Sequence, residues 1–196
     1  PAAVTASAKP KDVGFVLQGK KPFVNDALAA DYLLLAVQGP NGLALAAVGK
    51  DQVTVTAQPT IDNTKPMASV DIDGVEISAS DLLPMSEEQL AFLTDCGGVA
   101  TTAEMVGAGT AILAMTNGYA KERIQFGKPI GQYQGVKHRL ADMFVDLESY
   151  RSLCYFAAWA VDDSPEELAK AVSMAKGYAS DAFAQIGIDG VGLHGA

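Results

Sequence analysis

The chain has 196 residues, 49% of them hydrophobic, and a formal net charge of −9. That length supports one large or two small domains with a sizeable core, and the apolar content excludes a disordered chain. The acidic balance argues against general binding to nucleic acid or an anionic membrane, and no unbroken apolar run reaches the roughly 18 residues that suggest a membrane span.

The opening PAAVTASAKPKDVG lacks the charged-then-apolar layout of a secretory signal. Residues 14–83 then read as short strands: VGFVLQG, KPFV, DYLLLAV, LALAAV, QVTVTA, ASVDIDG and VEIS, separated by turn signals such as Gly39-Pro40-Asn41-Gly42 and Asp73-Gly74. Runs of that length predict antiparallel pairing in a sandwich or barrel-like unit. In QVTVTA, Val53 and Val55 belong on one face and the threonines on the other.

After Leu83-Pro84 the period changes. Leu90, Leu93, Cys96, Ala100, Ala103 and Val106 predict a long helix over 86–121, with Ser86 as N-cap. A second helix is expected from about Gly131 to Val161 on the stripe Leu140, Met143, Leu147, Tyr150, Cys154, Ala157. A third starts at the capping box Ser164-Pro165-Glu166-Glu167, carries Leu168, Ala171, Met174, Ala175, Tyr178, Ala182 and Ile186, and ends in the glycine-rich IGIDGVGLHGA. The fold class expected is α+β with segregated domains: an antiparallel β domain, 1–84, then an antiparallel helical bundle, 85–196. The chain starts almost inside a strand and stops after a glycine-rich turn, so it reads as a segment of something longer.

Cys96 and Cys154 have neither metal-ligand spacing nor the look of a disulfide framework. They are expected as reduced packing residues of a cytoplasmic protein, and no metal site is predicted.

Between the first two helices lies YAKERIQFGKPIGQYQGVKHRLADM, with five of the chain's fourteen lysines and arginines: Lys121, Arg123, Lys128, Lys137 and Arg139. Glu122 alone opposes them over residues 121–139, so an acidic chain concentrates its positive charge at one connector. Gly127 and Gly131 permit close approach of a ligand to the backbone, and Pro129 sets the direction of the chain. Residues 131–134 fall at a helix N-terminus, where free N–H groups favour an anion, and Arg123 can fork onto a phosphate. With Phe126 and Tyr133 nearby, the connector suits a phosphate-bearing ligand that has an aromatic or heterocyclic part.

The run ER-x-QFG-x-PI-x-x-YQ-x-VKHRLADM, followed by LESYRSLCYFAAWAVDD, resembles the acyl-CoA dehydrogenase family. LQGKKPFVNDALAADYLLLAV and VDIDGVEISASDLL are similar to strands of that family's middle β domain, and TTAEMVGAGTAI to the first long helix of its C-terminal bundle. The resemblance implies FAD as cofactor, with Arg123, Gln125, Phe126 and Gln134 touching the FAD of a neighbouring subunit in a dimer or tetramer, homo- or hetero-oligomeric. It also implies an acyl-CoA substrate dehydrogenated at its α and β carbons, hydride passing to the flavin and electrons leaving to an electron-transfer flavoprotein.

The chain departs from the family pattern in two places. The first-helix position for the catalytic base is Gly97, and neither Asp95 nor Glu104 is nominated in its stead, so no catalytic residue is assigned. In AQIGIDGVGLHGA, Asp189 stands where the family's first motif glycine is expected, which leaves Gln185 and Gly190 as the cofactor-binding carry-overs. These departures admit an alternative, a non-catalytic subunit completing a partner's FAD site; an acyl-CoA oxidase is the other. His138 and Asp142, four apart, are expected to make a structural contact. His194 is given no role, and Tyr155 and Trp159 are expected to pack.

Overall fold

Alternating apolar residues fold the first part of the chain into two sheets around one core. A computed structural model of the chain describes residues 4–195. The strands are β1 (Ser7–Lys11), β2 (Gly14–Gln18), β3 (Lys20–Asn25), β4 (Tyr32–Gly39), β5 (Gly42–Gly49), β6 (Thr54–Gln58), β7 (Met67–Asp71), β8 (Glu76–Ser78) and β9 (Leu82–Pro84). They form a six-stranded sheet, β8-β2-β1-β4-β5-β9, and a three-stranded sheet, β3-β7-β6. Leu17, Leu35, Val37, Val48, Val70 and Ile72, drawn from both sheets, are buried in a single cluster. The chain crosses from one sheet to the other at Gly19, whose φ of 125° is one that residues with a Cβ rarely adopt. Val53 and Val55 are half-buried while Thr54 and Thr56 are exposed, as the alternation requires.

Two features differ from expectation. β1 had no periodic signal, because Pro10 and two lysines interrupt it, and it joins β4 in parallel at Ser7↔Gln38, so the larger sheet is mixed. β9 is short and proline-terminated at the sheet edge, where a missing N–H is tolerated.

The remainder is helical: α1 (Glu87–Glu122), α2 (Gln134–Asp162) and α3 (Pro165–Leu193). The chain separates into two compact units, one up to Leu90 and one from Ala91. Ser86 and Gln89 form a reciprocal capping box at α1, with Gln89 N donating to Ser86 Oγ at 3.1 Å and Ser86 N to Gln89 Oε1 at 2.9 Å. At α3 the expected box does not form. Ser164 Oγ turns to Glu166 Oε1 at 2.8 Å, and Pro165 at the first helical position starts the helix.

The α2 stripe is buried as expected, with Met143, Leu147, Tyr150, Cys154 and Ala157 in the core. α1 buries its expected stripe only in part, at Leu90, Cys96 and Val106, which are half-buried. Its buried residues are Thr102, Gly109, Thr116 and Ala120, whereas Leu93 is 49% exposed and Ala100 and Ala103 face outward. α1 is apolar almost all round, so periodicity does not select a face. The core face is chosen by small residues that admit neighbouring side chains. Thr102 and Thr116 qualify because each hydroxyl bonds back along the helix, to Gly98 O at 2.9 Å and Ile112 O at 2.8 Å. By length and composition α1 is apolar enough to cross a bilayer, although Glu104 interrupts its apolar sequence. In the bundle its small-residue face meets Tyr150 of α2 and Val172 of α3.

α3 also runs further than expected. Its glycine-rich end is helix through Leu193, closed by His194 N donating to Gly190 O at 3.2 Å and Gly195 N to Gly192 O at 3.1 Å. Each helical glycine costs about 1 kcal/mol against alanine. At Gly190 the reason is contact, since a Cβ there would lie 2.9 Å from Ile112 Cγ2.

Burial of Tyr150 pushes its phenol up to about 12, from an ordinary 10. A folded-state value above the unfolded one gives stability that is complete below the unfolded value and is lost as pH rises through the folded one. Wild type is therefore expected to lose stability relative to Tyr150→Phe between those two pH values, a difference that thermal melts across that range read directly.

Candidate functional site

The connector between α1 and α2 is a braced hairpin. Arg123 ends α1, with its N–H donating to Tyr119 O at 2.8 Å and its carbonyl accepting from Ile130 N at 2.8 Å. Two short strands follow, β10 (Ile124–Gln125) and β11 (Lys128–Pro129), paired antiparallel. Between them Phe126 and Gly127 have φ of 53° and 80°, the pair of positive values that a type I′ turn needs. Glycine adopts that conformation freely. A phenylalanine there costs about 1 kcal/mol or more, and Phe126 is 88% exposed, so no packing within the chain offsets it. Strain of this kind concentrates at ligand-contacting tips.

Tyr133 holds the hairpin in place. Its hydroxyl donates to Gln125 O at 2.9 Å, and Lys128 Nζ sits 4.4 Å from its ring centroid. Gly131 serves packing rather than ligand approach, for a Cβ there would meet Ala120 O at 2.9 Å. α2 begins at Gln134, three residues later than expected, after a 3₁₀ turn over Ile130–Gln132. Tyr133 O accepts from Val136 N and Lys137 N, while the N–H groups of Gln134 and Gly135 make no hydrogen bond among the described residues.

Of the connector's five cations, Arg139 alone pairs with an acid among the described residues. Its Nη1 donates to Oδ1 of Asp189, which is 6% exposed on α3. Arg123 is exposed and has no acidic partner. The hairpin, the start of α2 and the end of α3 enclose a cleft of about 500 Å³. Gln125, Phe126, Tyr133, Gly135, Arg139 and Asp189 line it. A second cleft of about 430 Å³ is lined by Lys121, Pro129 and Lys137.

Of the residues expected at a cofactor site, Gln125 and Phe126 face the larger cleft. Arg123 and Gln134 are exposed beside it without lining it, and Gln185 is exposed on α3. Gly190 is buried against Ile112 and Thr116, whereas Gly192 opens onto the cleft. The Arg139–Asp189 pair was not foreseen, since fifty residues separate its members and no local spacing joins them.

Other expectations need correction. His138 and Asp142 are both exposed on α2 and, among the described residues, share no hydrogen bond or ion pair, each side chain being left to solvent. Tyr155 and Trp159 are 71% and 48% exposed, lying on the side of α2 opposite its buried stripe. His194 has a structural part: Nδ1–H donates to Gly190 O at 2.7 Å and the ring stacks on Tyr119 at 4.5 Å. Cys154 is buried and Cys96 half-buried, both free, and burial raises the Cys154 thiol above its usual range. Gly97 is exposed, with no heavy atom within 4 Å of where a Cβ would sit.

Residues 95–196 match the family described as acyl-CoA dehydrogenase, C-terminal domain. Acyl-CoA dehydrogenase IpdE2 of Mycolicibacterium smegmatis is 32% identical over 145 residues, covering 74% of this chain and 42% of that protein. A crystal structure of an FAD-dependent dehydrogenase superposes with TM-score 0.89 at 29% identity, covering 99% of this chain and 55% of that one. The ChsE4-ChsE5 complex from Mycobacterium tuberculosis superposes with TM-score 0.89 at 27% identity, covering 100% of this chain and 53% of that one. The chain spans about half the length of the curated relatives it matches. The family model matched over more than half of the chain, together with a β domain followed by a helical bundle, shows that the chain belongs to the acyl-CoA dehydrogenase family.

Proposed function

We propose that the full protein is an FAD-dependent acyl-CoA dehydrogenase that introduces a double bond between the α and β carbons of an acyl-CoA thioester. The observation that carries this reading is Arg123, exposed at the end of α1 with no acidic partner among the described residues, three residues before the strained, exposed Phe126 at the hairpin tip. Their exposure supports contact with a ligand outside this chain. In this reading Arg123 forks onto the diphosphate of FAD bound in a neighbouring subunit, Phe126 covers an aromatic part of it, and Gln125 and Gln134 donate hydrogen bonds. Gln185 approaches the cofactor's adenine end, and Gly190 acts through close packing of α3 on α1. FAD when bound supplies the hydride acceptor, while the chain's own residues bind and orient it.

The residues fit that group with one reservation, the acid Asp189 in the cleft, whose charge Arg139 balances. The base is supplied outside these residues, since Gly97 carries no proton acceptor. A cytoplasmic location and electron transfer to an electron-transfer flavoprotein belong to the same proposal.

Gly97 and Asp189 favour a second reading, a subunit without its own catalysis that completes a partner's FAD site. A fold shared with the two-component ChsE4-ChsE5 complex supports it. Anaerobic addition of acyl-CoA to the purified full-length protein separates the two. Bleaching of bound flavin by the protein alone supports the dehydrogenase; bleaching only after a partner subunit is added supports the scaffold. Rapid reoxidation in air marks an oxidase instead, and a full-length oligomer that binds no flavin sinks all three.

A further inference from the structure

Asp189 is the feature of the cleft that a simple anion site does not explain. It stands near the C-terminal end of α3, where the helix dipole already disfavours negative charge. One carboxylate oxygen accepts from Arg139. The second oxygen has no hydrogen-bond partner among the described residues and is not sealed from solvent, and Asp189 lines the cleft. The pair offers the cleft a hydrogen-bond acceptor, a carboxylate oxygen that still repels an anion brought against it although the field of the pair is small at a distance. The rings of Phe126 and Tyr133, flat surfaces for a base, line the same cleft, whose volume of about 500 Å³ suits a nucleotide.

We propose that Asp189, oriented by Arg139, reads the ribose of the nucleotide in this cleft: its free oxygen accepts from an unphosphorylated adenosine ribose, and its charge excludes a ribose that carries a phosphate. The assignment rests on the connector being a dinucleotide contact. It sharpens that reading, because the two nucleotides in the reaction differ at this point. FAD carries an ADP with free ribose hydroxyls, whereas coenzyme A carries a 3′-phosphate. A carboxylate accepts from the first and repels the second. The cleft therefore takes the cofactor's nucleotide and rejects the substrate's.

The test is calorimetry on the flavin-stripped full-length oligomer with two probes, ADP and 3′-phospho-ADP. Wild type is expected to bind ADP about tenfold more tightly or better, the effect of roughly 1.4 kcal/mol. Asp189→Asn keeps the shape, removes the charge and frees Arg139, so the preference shrinks to about twofold or reverses. Arg139→Gln leaves the acid unpaired, weakens both probes and widens the ratio. Equal wild-type affinities overturn the assignment, as does a ratio that Asp189→Asn leaves unchanged in a protein of normal melting temperature. If neither probe binds although the protein before stripping held flavin, the ribose assignment fails and the connector reading stands.

Discussion

Arg123→Glu is expected to leave the full-length protein folded and largely without flavin. Arg123 is exposed and unpaired, so its replacement removes no interaction within the chain, and surface changes of that kind stay within about 0.5 kcal/mol. At a diphosphate the change is severe. A charge-assisted, forked hydrogen bond is worth about 1.5–3 kcal/mol, and the new carboxylate repels the phosphates on top of that loss. Affinity should fall by about a hundredfold or more, near 3 kcal/mol. Arg123→Lys should fall between, keeping a point charge without the fork. Lys170→Glu is the control for net charge alone. It lies 22 residues before Gly192 on α3, about 33 Å at the helical rise, and loses only its exposed pair with Glu167. The measurement is flavin per protomer after gel filtration. Retention of full flavin by Arg123→Glu would remove the connector from the cofactor site.

The placement of that arginine was legible in the sequence because everything that positions it is local. A helix ends, a two-residue turn follows with Gly127 in it, and a second helix starts within a dozen residues, so charge, turn chemistry and period lie in one window. Most strands were legible for the same reason: Val53 and Val55 declare a face by alternation. What the sequence hid was decided at a distance. Asp189 looked like a misplaced acid until Arg139, fifty residues away, was brought against it. Thr102 and Thr116 carry no burial signal, since a hydroxyl satisfied by its own helix is indistinguishable in sequence from one in water. The end of α3 looked like a turn because glycine propensity is a local rule, and the contact of Gly190 with Ile112 overrides it.

The same conflict between propensity and packing yields the largest stability effect expected of a single methyl group. At an exposed helical site Gly→Ala gains about 1 kcal/mol, but at Gly109 the sign should reverse. An added Cβ would lie 2.0 Å from Tyr150 Oη and 3.3 Å from both Tyr150 Cζ and Leu147 Cδ1. Tyr150 is fully buried, and its hydroxyl donates to Met105 O at 3.3 Å, so the ring cannot yield without losing that bond and disturbing the core. Overpacking costs about 1–3 kcal/mol and the lost hydrogen bond about 1 kcal/mol. After the gain in propensity, Gly109→Ala should destabilise the helical unit by about 2 kcal/mol. Tyr150→Phe removes the atom in closest conflict. The double variant should therefore be more stable than the sum of the singles, with a coupling of about 1–2 kcal/mol. Flavin content per folded protomer should remain unchanged in all three variants, which separates this core contact from the cofactor contact at Arg123. A melting temperature that rises in Gly109→Ala would show that α1 and α2 do not meet through this glycine.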